Sequence, residues 1–146
     1  AGIGQIIATR SSISGAAGGC QAEIGSASSM AAGALTYLQG GNCEQIATAA
    51  AMAMKNLLGL VCDPVAGLVE VPCVKRNVIG TVNAMACADM AMAGIVSRIP
   101  PDQVMDAMKE VGDKMDASLR ETALGGLAQT DEGMKIAEKM HASYEN

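Results

Sequence analysis

The chain has 146 residues, a formal charge of −5, 26 Ala, 17 Gly and 11 Met, two Tyr, and neither Phe nor Trp. That length suffices for one domain burying roughly two-thirds of its unfolded surface. The lack of aromatic faces excludes a stacking platform for single-stranded nucleic acid, and the acidic balance argues against a broad phosphate-binding surface. Sandwiches and barrels fill their sheets with β-branched and aromatic side chains. Ala and Met instead favour helix, so the predicted fold is all-α, a compact helical bundle.

Residues 1–19 are rich in Gly, Ser and Ala and receive no assigned element. A helix is predicted from near Cys20 to about Leu38, stopped by Gly40 and Gly41. Asn42 is a good N-cap with Gln45 in the capping-box position, opening a helix that runs to about Leu58 and ends at Gly59. Residues 61–73 contain two prolines and a glycine and read as a loop. A third helix is expected from Asn77 to about Val96. Pro100-Pro101 begins another, with Val104, Met105, Met108, Val111 and Met115 on one face. The stretch 116–129, interrupted by Gly125-Gly126, is ambiguous. Thr130 caps a last amphipathic helix carrying Met134, Ala137 and Met140. No repeat and no linker is visible, so residues 1–146 read as a single domain.

Residues 1–100 hold ten charged side chains and residues 101–146 hold fifteen. The first hundred residues are therefore as charge-poor as a core. They are read as buried on more than one side, by another domain or subunit, with pairs such as Ala27/Ala31 and Ala47/Ala51 letting helices approach closely. The longest uncharged run, Ile24 to Cys43, carries four Gly, three Ser, Gln39 and Asn42, too polar for a membrane span. The chain opens at Ala1 without a secretory pattern and reads as a piece of a longer polypeptide. Five cysteines in that setting point to a reducing, cytoplasmic compartment.

The cysteines divide by context. Cys43, at a helix start, and Cys87, inside MACADM, are expected to be buried, inert thiols. Cys20 follows Gly18-Gly19, Cys62 precedes Asp63-Pro64 and Cys73 follows Pro72. Such edges turn backbone N–H groups toward sulfur, and a helix N-terminus lowers a thiol pKa. Three thiolates together suit a soft metal or an iron–sulfur cluster. Without a C-x₂-C pair, the spacing alone leaves functionless loop cysteines open as well.

Two long segments add to this. AGGCQAEIGSASSMAAG, Ala17 to Gly33, and CDPVAGLVEVPCVKRN, Cys62 to Asn77, resemble the iron–sulfur-dependent L-serine dehydratases, in their α chain or the equivalent half of single-chain members. SLRETALGGLA, Ser118 to Ala128, extends the likeness over nearly the whole chain. The resemblance implies that Cys20, Cys62 and Cys73 bind a [4Fe–4S] cluster held in a Gly/Pro-rich loop, with one iron lacking a protein thiolate. It implies β-elimination of water from L-serine, giving pyruvate and ammonia in amino-acid degradation, without pyridoxal phosphate. The open iron would act as a Lewis acid on the substrate hydroxyl and carboxylate.

The same resemblance places the general base and most of the substrate pocket in a β domain or β subunit, so an oligomer is expected, inactive without that partner. Lys75, Arg76 and Asn77 are candidates to hold the substrate carboxylate, and Glu23 and Asp63 to stand beside the ligands. Bland readings exist for each: capping, local ion pairing or solvated charge. His141 is read as solvent-facing. With no cysteine after Cys87, the fourth iron is expected to carry water, a small anion or a partner ligand, with Glu145 a possible carboxylate substitute. Two alternatives are a cysteine desulfidase-like lyase on this scaffold and a non-catalytic metal-bearing subunit. In the latter, zinc would take its fourth ligand from Cys43, Cys87, Asp63 or His141. Neither nucleic acid nor membrane is an expected partner.

Overall fold

Close approach of small side chains organises the bundle. In a computed structural model, which describes residues 1–144, the chain forms α1 (Gly2–Arg10), α2 (Gly15–Gly18), a π-helical turn (Gln21–Gly25), α3 (Ser26–Leu38), α4 (Cys43–Lys55), α5 (Cys73–Met92), α6 (Pro101–Lys114) and α7 (Asp131–Tyr144). No strand forms among the described residues, and the all-α expectation holds. No described helix is long and apolar enough to cross a membrane.

Helices α3, α4 and α5 pack together around Ala32, Ala49, Met52, Ala53, Ala84, Cys87 and Ala91. Alanines bring the backbones near enough for side-chain-to-backbone hydrogen bonds between helices. Ser28 Oγ donates to Gly80 O at 2.7 Å and Ser29 Oγ to Ala50 O at 2.9 Å. Asn83 Nδ2 donates to Ser28 Oγ and Ala53 O, both at 2.9 Å. The buried hydroxyls of Ser28 and Ser29 are thus satisfied at the cost of requiring small neighbours. A second core joins α1, α4 and α6 through Ile7, Ala51, Met54, Val104, Met105 and Met108.

The capping box forms as expected. Asn42 accepts from the Gln45 N–H while the Gln45 side chain accepts from the Asn42 N–H, both at 2.9 Å. Three elements differ from expectation. Residues 1–19 contain α1 and α2, because the fully buried Ile7 packs on α4 and α6 and overrides weak local propensity. Helix α5 begins at Cys73, not Asn77: Pro72 occupies the N-cap, and the Val74 N–H of the first turn is taken up by Val69 O at 3.2 Å. It ends at Met92 because Gly94, at φ +86, lets Ile95 N–H close back on Met90 O. Residues 116–129 resolve into two 3₁₀ turns, Ala117–Leu119 and Gly126–Gln129, separated by left-handed Glu121 and Ala123.

Candidate metal centre

Cys20, Cys62 and Cys73 arrive from three separate segments. Cys20 follows Gly19, whose φ of +77° turns the chain; a Cβ there would stand 2.9 Å from Leu60 O. The next residue fixes the segment: Gln21 N–H donates to Leu60 O at 2.8 Å. The buried Gln21 amide also spans two elements, donating to Met108 O on α6 and accepting from Gly59 N–H, both at 3.0 Å. Cys62 is held by a single parallel β-bridge to Arg120, in which its N–H donates to Leu119 O and its O accepts from Glu121 N–H, both at 2.8 Å. Cys73 is the first residue of α5.

The three meet in one small apolar cluster with Ile24, Leu57 and Leu60. Cys20 stands close enough to Cys62 and Cys73 for its charge to bear on both thiols. Burial first, and then the charge of Cys20, pushes the Cys62 thiol up to about 12; Glu121 and Cys73 add to it. Cys73 is raised too, again chiefly by burial and then by Cys20, although Arg76 pulls the other way. The lowering expected for a thiol at a helix start is thus outweighed at Cys73. The Cys62 and Cys73 thiols, desolvated and crowded by Cys20, resist ionisation, and a cation taking all three sulfurs would relieve that resistance. The donor set therefore fits a thiophilic metal group. Among the described residues no three His, Cys, Asp or Glu side chains stand in the geometry of a single bound ion.

Among the described residues, one cationic side chain hydrogen-bonds to this cluster. Arg76, one turn into α5, uses Nη1 to donate to Cys20 Sγ at 3.7 Å, Val61 O at 2.8 Å and Asp63 Oδ1 at 2.8 Å. The Asp63 and Arg76 side chains are only 4% and 15% exposed, so the ion pair lies in the interior. Asp63 Oδ2 accepts from Leu127 N–H at 2.8 Å, which brings the 120–127 loop to the site.

Two carboxylates border the same place. A Cβ built on Gly15 would lie 3.1 Å from Glu23 Oε2, 3.3 Å from Cys62 Sγ and 3.7 Å from Glu121 Oε2. Gly15 is thus the bare patch on which both acids and a sulfur converge. Glu121 was missed by sequence reasoning, because its left-handed backbone (φ +65°) and its tie to Cys62 are tertiary features. The segment SLRETALGGLA was its one signal.

Lys75 is exposed, while Asn77 Nδ2 donates to Cys73 O at 2.9 Å. His141 is exposed on α7, as expected. Cys87 is buried between α4 and α5, away from the cluster. Cys43, expected to be buried, is exposed, because the first residue of α4 points no apolar face at the bundle. Glu145 lies outside the described residues.

Residues 1–128 match the family described as serine dehydratase alpha chain. The chain belongs to that family. It is 61% identical over 137 residues to the probable L-serine dehydratase alpha chain of Bacillus subtilis (strain 168), covering 94% of this chain and 46% of the relative. Identity is again 61%, over 133 residues, to the protein of the same name from Latilactobacillus sakei, covering 91% and 64%. The L-serine dehydratase alpha chain of Peptoniphilus asaccharolyticus is 55% identical over 135 residues, covering 92% and 46%. The chain thus spans between 46% and 64% of the length of these relatives. The part matching the serine dehydratase alpha chain family includes every residue of the thiol cluster, Arg76, Asp63, Glu121 and Leu127, and stops short of His141.

Proposed function

We propose that this chain is the cluster-binding part of an iron–sulfur L-serine ammonia-lyase, with Cys20, Cys62 and Cys73 as the protein ligands of a [4Fe–4S] cluster. The observation that carries the reading is the meeting of these three thiols, from segments up to 53 residues apart in sequence, in one cluster where Cys20 and Cys62 are buried and Cys73 half-buried. Membership of the serine dehydratase alpha chain family supports the substrate and reaction class. In the overall reaction the Cα proton and the β-hydroxyl of L-serine leave as water. The resulting enamine tautomerises to an imine, and hydrolysis gives pyruvate and ammonia. When bound, the cluster supplies a Lewis acid that stabilises charge developing on the substrate oxygens.

The chain's own residues do the rest of what this part contributes. Three thiolates hold the group, and burial among Ile24, Leu57 and Leu60 limits water at the sulfurs. Glu23 and Glu121, both exposed and both beside Cys62, face the rim, where a substrate ammonium would find an opposite charge. Asn77, on the first turn of α5 beside Cys73, lies where a substrate carboxylate would be drawn. No pyridoxal phosphate is invoked, and the general base is assigned to the β domain or β subunit.

A partner also has a surface to cover. Val74, Val78, Ile79, Val82 and Met85 are each more than half exposed on α5. Four of them, Val74, Val78, Val82 and Met85, recur at three- and four-residue spacing along one face, while the opposite face packs in the bundle. A helix apolar on both faces belongs between two bodies. The reading includes a cytoplasmic setting, consistent with five free thiols.

A zinc subunit is the weaker alternative, since both Asp63 oxygens are engaged and Cys87 sits in another core. The deciding assay supplies L-serine and L-cysteine, in parallel, to the anaerobically assembled enzyme and to this chain alone. Pyruvate from serine by the assembly, none by the isolated chain, supports the proposal. Faster sulfide release from cysteine would move the assignment to a desulfidase. Serine turnover by the chain alone would refute the partner-borne base.

A further inference from the structure

We infer that Arg76 is a positioning residue for the Cys20 sulfur, set in place by Asp63, and that it governs how firmly the cluster is kept and how easily it is reduced. The inference rests on the cluster reading above. It starts from geometry: among the described residues, the one basic side chain that hydrogen-bonds to any of the three thiols is Arg76, and that contact falls on Cys20. An unrestrained arginine would not hold a 3.7 Å contact with sulfur. Here Nη1 is pinned by Asp63 Oδ1 and Val61 O, both at 2.8 Å, and Asp63 is pinned in turn by Leu127 N–H. Nη1 therefore has a fixed place, and Cys20 Sγ lies 3.7 Å from it. Because Val61 and Asp63 flank Cys62, the same side chain also fixes the segment carrying the second sulfur.

The consequence follows from electrostatics. Hydrogen bonds and positive charge at cluster sulfurs favour the reduced, more negative state, and partners of metal ligands commonly govern retention. Glu121 adds negative charge at Cys62 and Glu23 at Cys73, leaving Arg76, in contact with Cys20, as the compensating cation. Lys75, its neighbour on the same helical turn, is exposed to solvent, which makes it a matched control.

The test uses the complete enzyme with its partner portion, assembled anaerobically, as parent, R76Q, R76K, D63N and K75Q. Two quantities are read: iron release to a ferrous chelator, and the midpoint potential from a dye-mediated titration followed by EPR. R76Q is expected to release iron about tenfold faster or more and to show a more negative potential. R76K, keeping charge without the planar guanidinium, should fall between; D63N, which frees Arg76 but keeps its charge, should speed iron release as R76Q does; and K75Q should match the parent in both quantities. Parent-like release and potential in a folded R76Q overturn the inference. If R76Q does not fold, parent-like values in both R76K and D63N overturn it equally, and so does K75Q shifting as far as the Arg76 variants. A parent that takes up no iron overturns the cluster reading itself, a distinct result from a loaded parent with indifferent variants.

Discussion

Asp63 accepts the backbone N–H of Leu127 at 2.8 Å across 64 positions of sequence. The contact closes the 120–127 loop over the segment that carries Cys62. It is possible only because Gly126, at φ +60°, brings its backbone against the acid; a Cβ there would stand 2.7 Å from the Asp63 Cβ. Gly126→Ala is expected to destabilise the fold by about 1–3 kcal/mol through left-handed strain and this clash. The same substitution should loosen the loop. Urea unfolding of parent and variant checks the first point, and amide exchange at Leu127 the second. An unchanged midpoint with unchanged Leu127 protection would show that the loop does not depend on this approach.

Acid–base behaviour of the metal-free chain follows from Cys62. Its thiol is pushed up to about 12 by burial and then by the neighbouring charges, while an unfolded cysteine titrates near ~8.5. The folded chain keeps a proton that the unfolded chain has lost. This contribution is therefore complete below the unfolded value and disappears as pH climbs from there toward 12. Urea midpoints at neutral pH and at pH ~10 should fall more for the metal-free parent than for Cys62→Ala, which removes the group. Equal falls would mean that Cys62 titrates as an ordinary thiol.

The apolar face of α5 gives a third expectation. Val78→Asp and Val82→Asp place charge on a surface that the bundle leaves uncovered, so helicity by circular dichroism should be retained. Co-purification with the β portion should be lost. Retained assembly in the double variant would locate the interface elsewhere.

What the sequence revealed divides along a physical line. Local chemistry was legible: the Asn42/Gln45 capping box, the Pro100-Pro101 start and the glycine stops depend on residues close in sequence. The three cysteines were selected by their Gly and Pro neighbours, since those neighbours decide where the chain can turn. Features set by distant contacts were not legible. Helix α1 exists because Ile7 is buried by α4 and α6. Arg76 was read as a holder of substrate carboxylate, and its bonds to Cys20, Val61 and Asp63 depend on α5 starting at Cys73, four residues earlier than propensity suggested. Cys43 looked like core and is exposed. Glu121 reaches Cys62 through a left-handed residue that propensity disfavours.

The most direct measurement is iron and acid-labile sulfide per chain after anaerobic reconstitution of the full enzyme, as parent and as single Ser variants of all five cysteines. The expected result is about four irons and four sulfides in the parent, Cys43→Ser and Cys87→Ser. Cys20→Ser, Cys62→Ser and Cys73→Ser should each lose most of both while keeping parent-like helicity. Iron without sulfide, zinc in preference to iron, or full loading in any of those three variants would contradict the assignment of Cys20, Cys62 and Cys73 as cluster ligands.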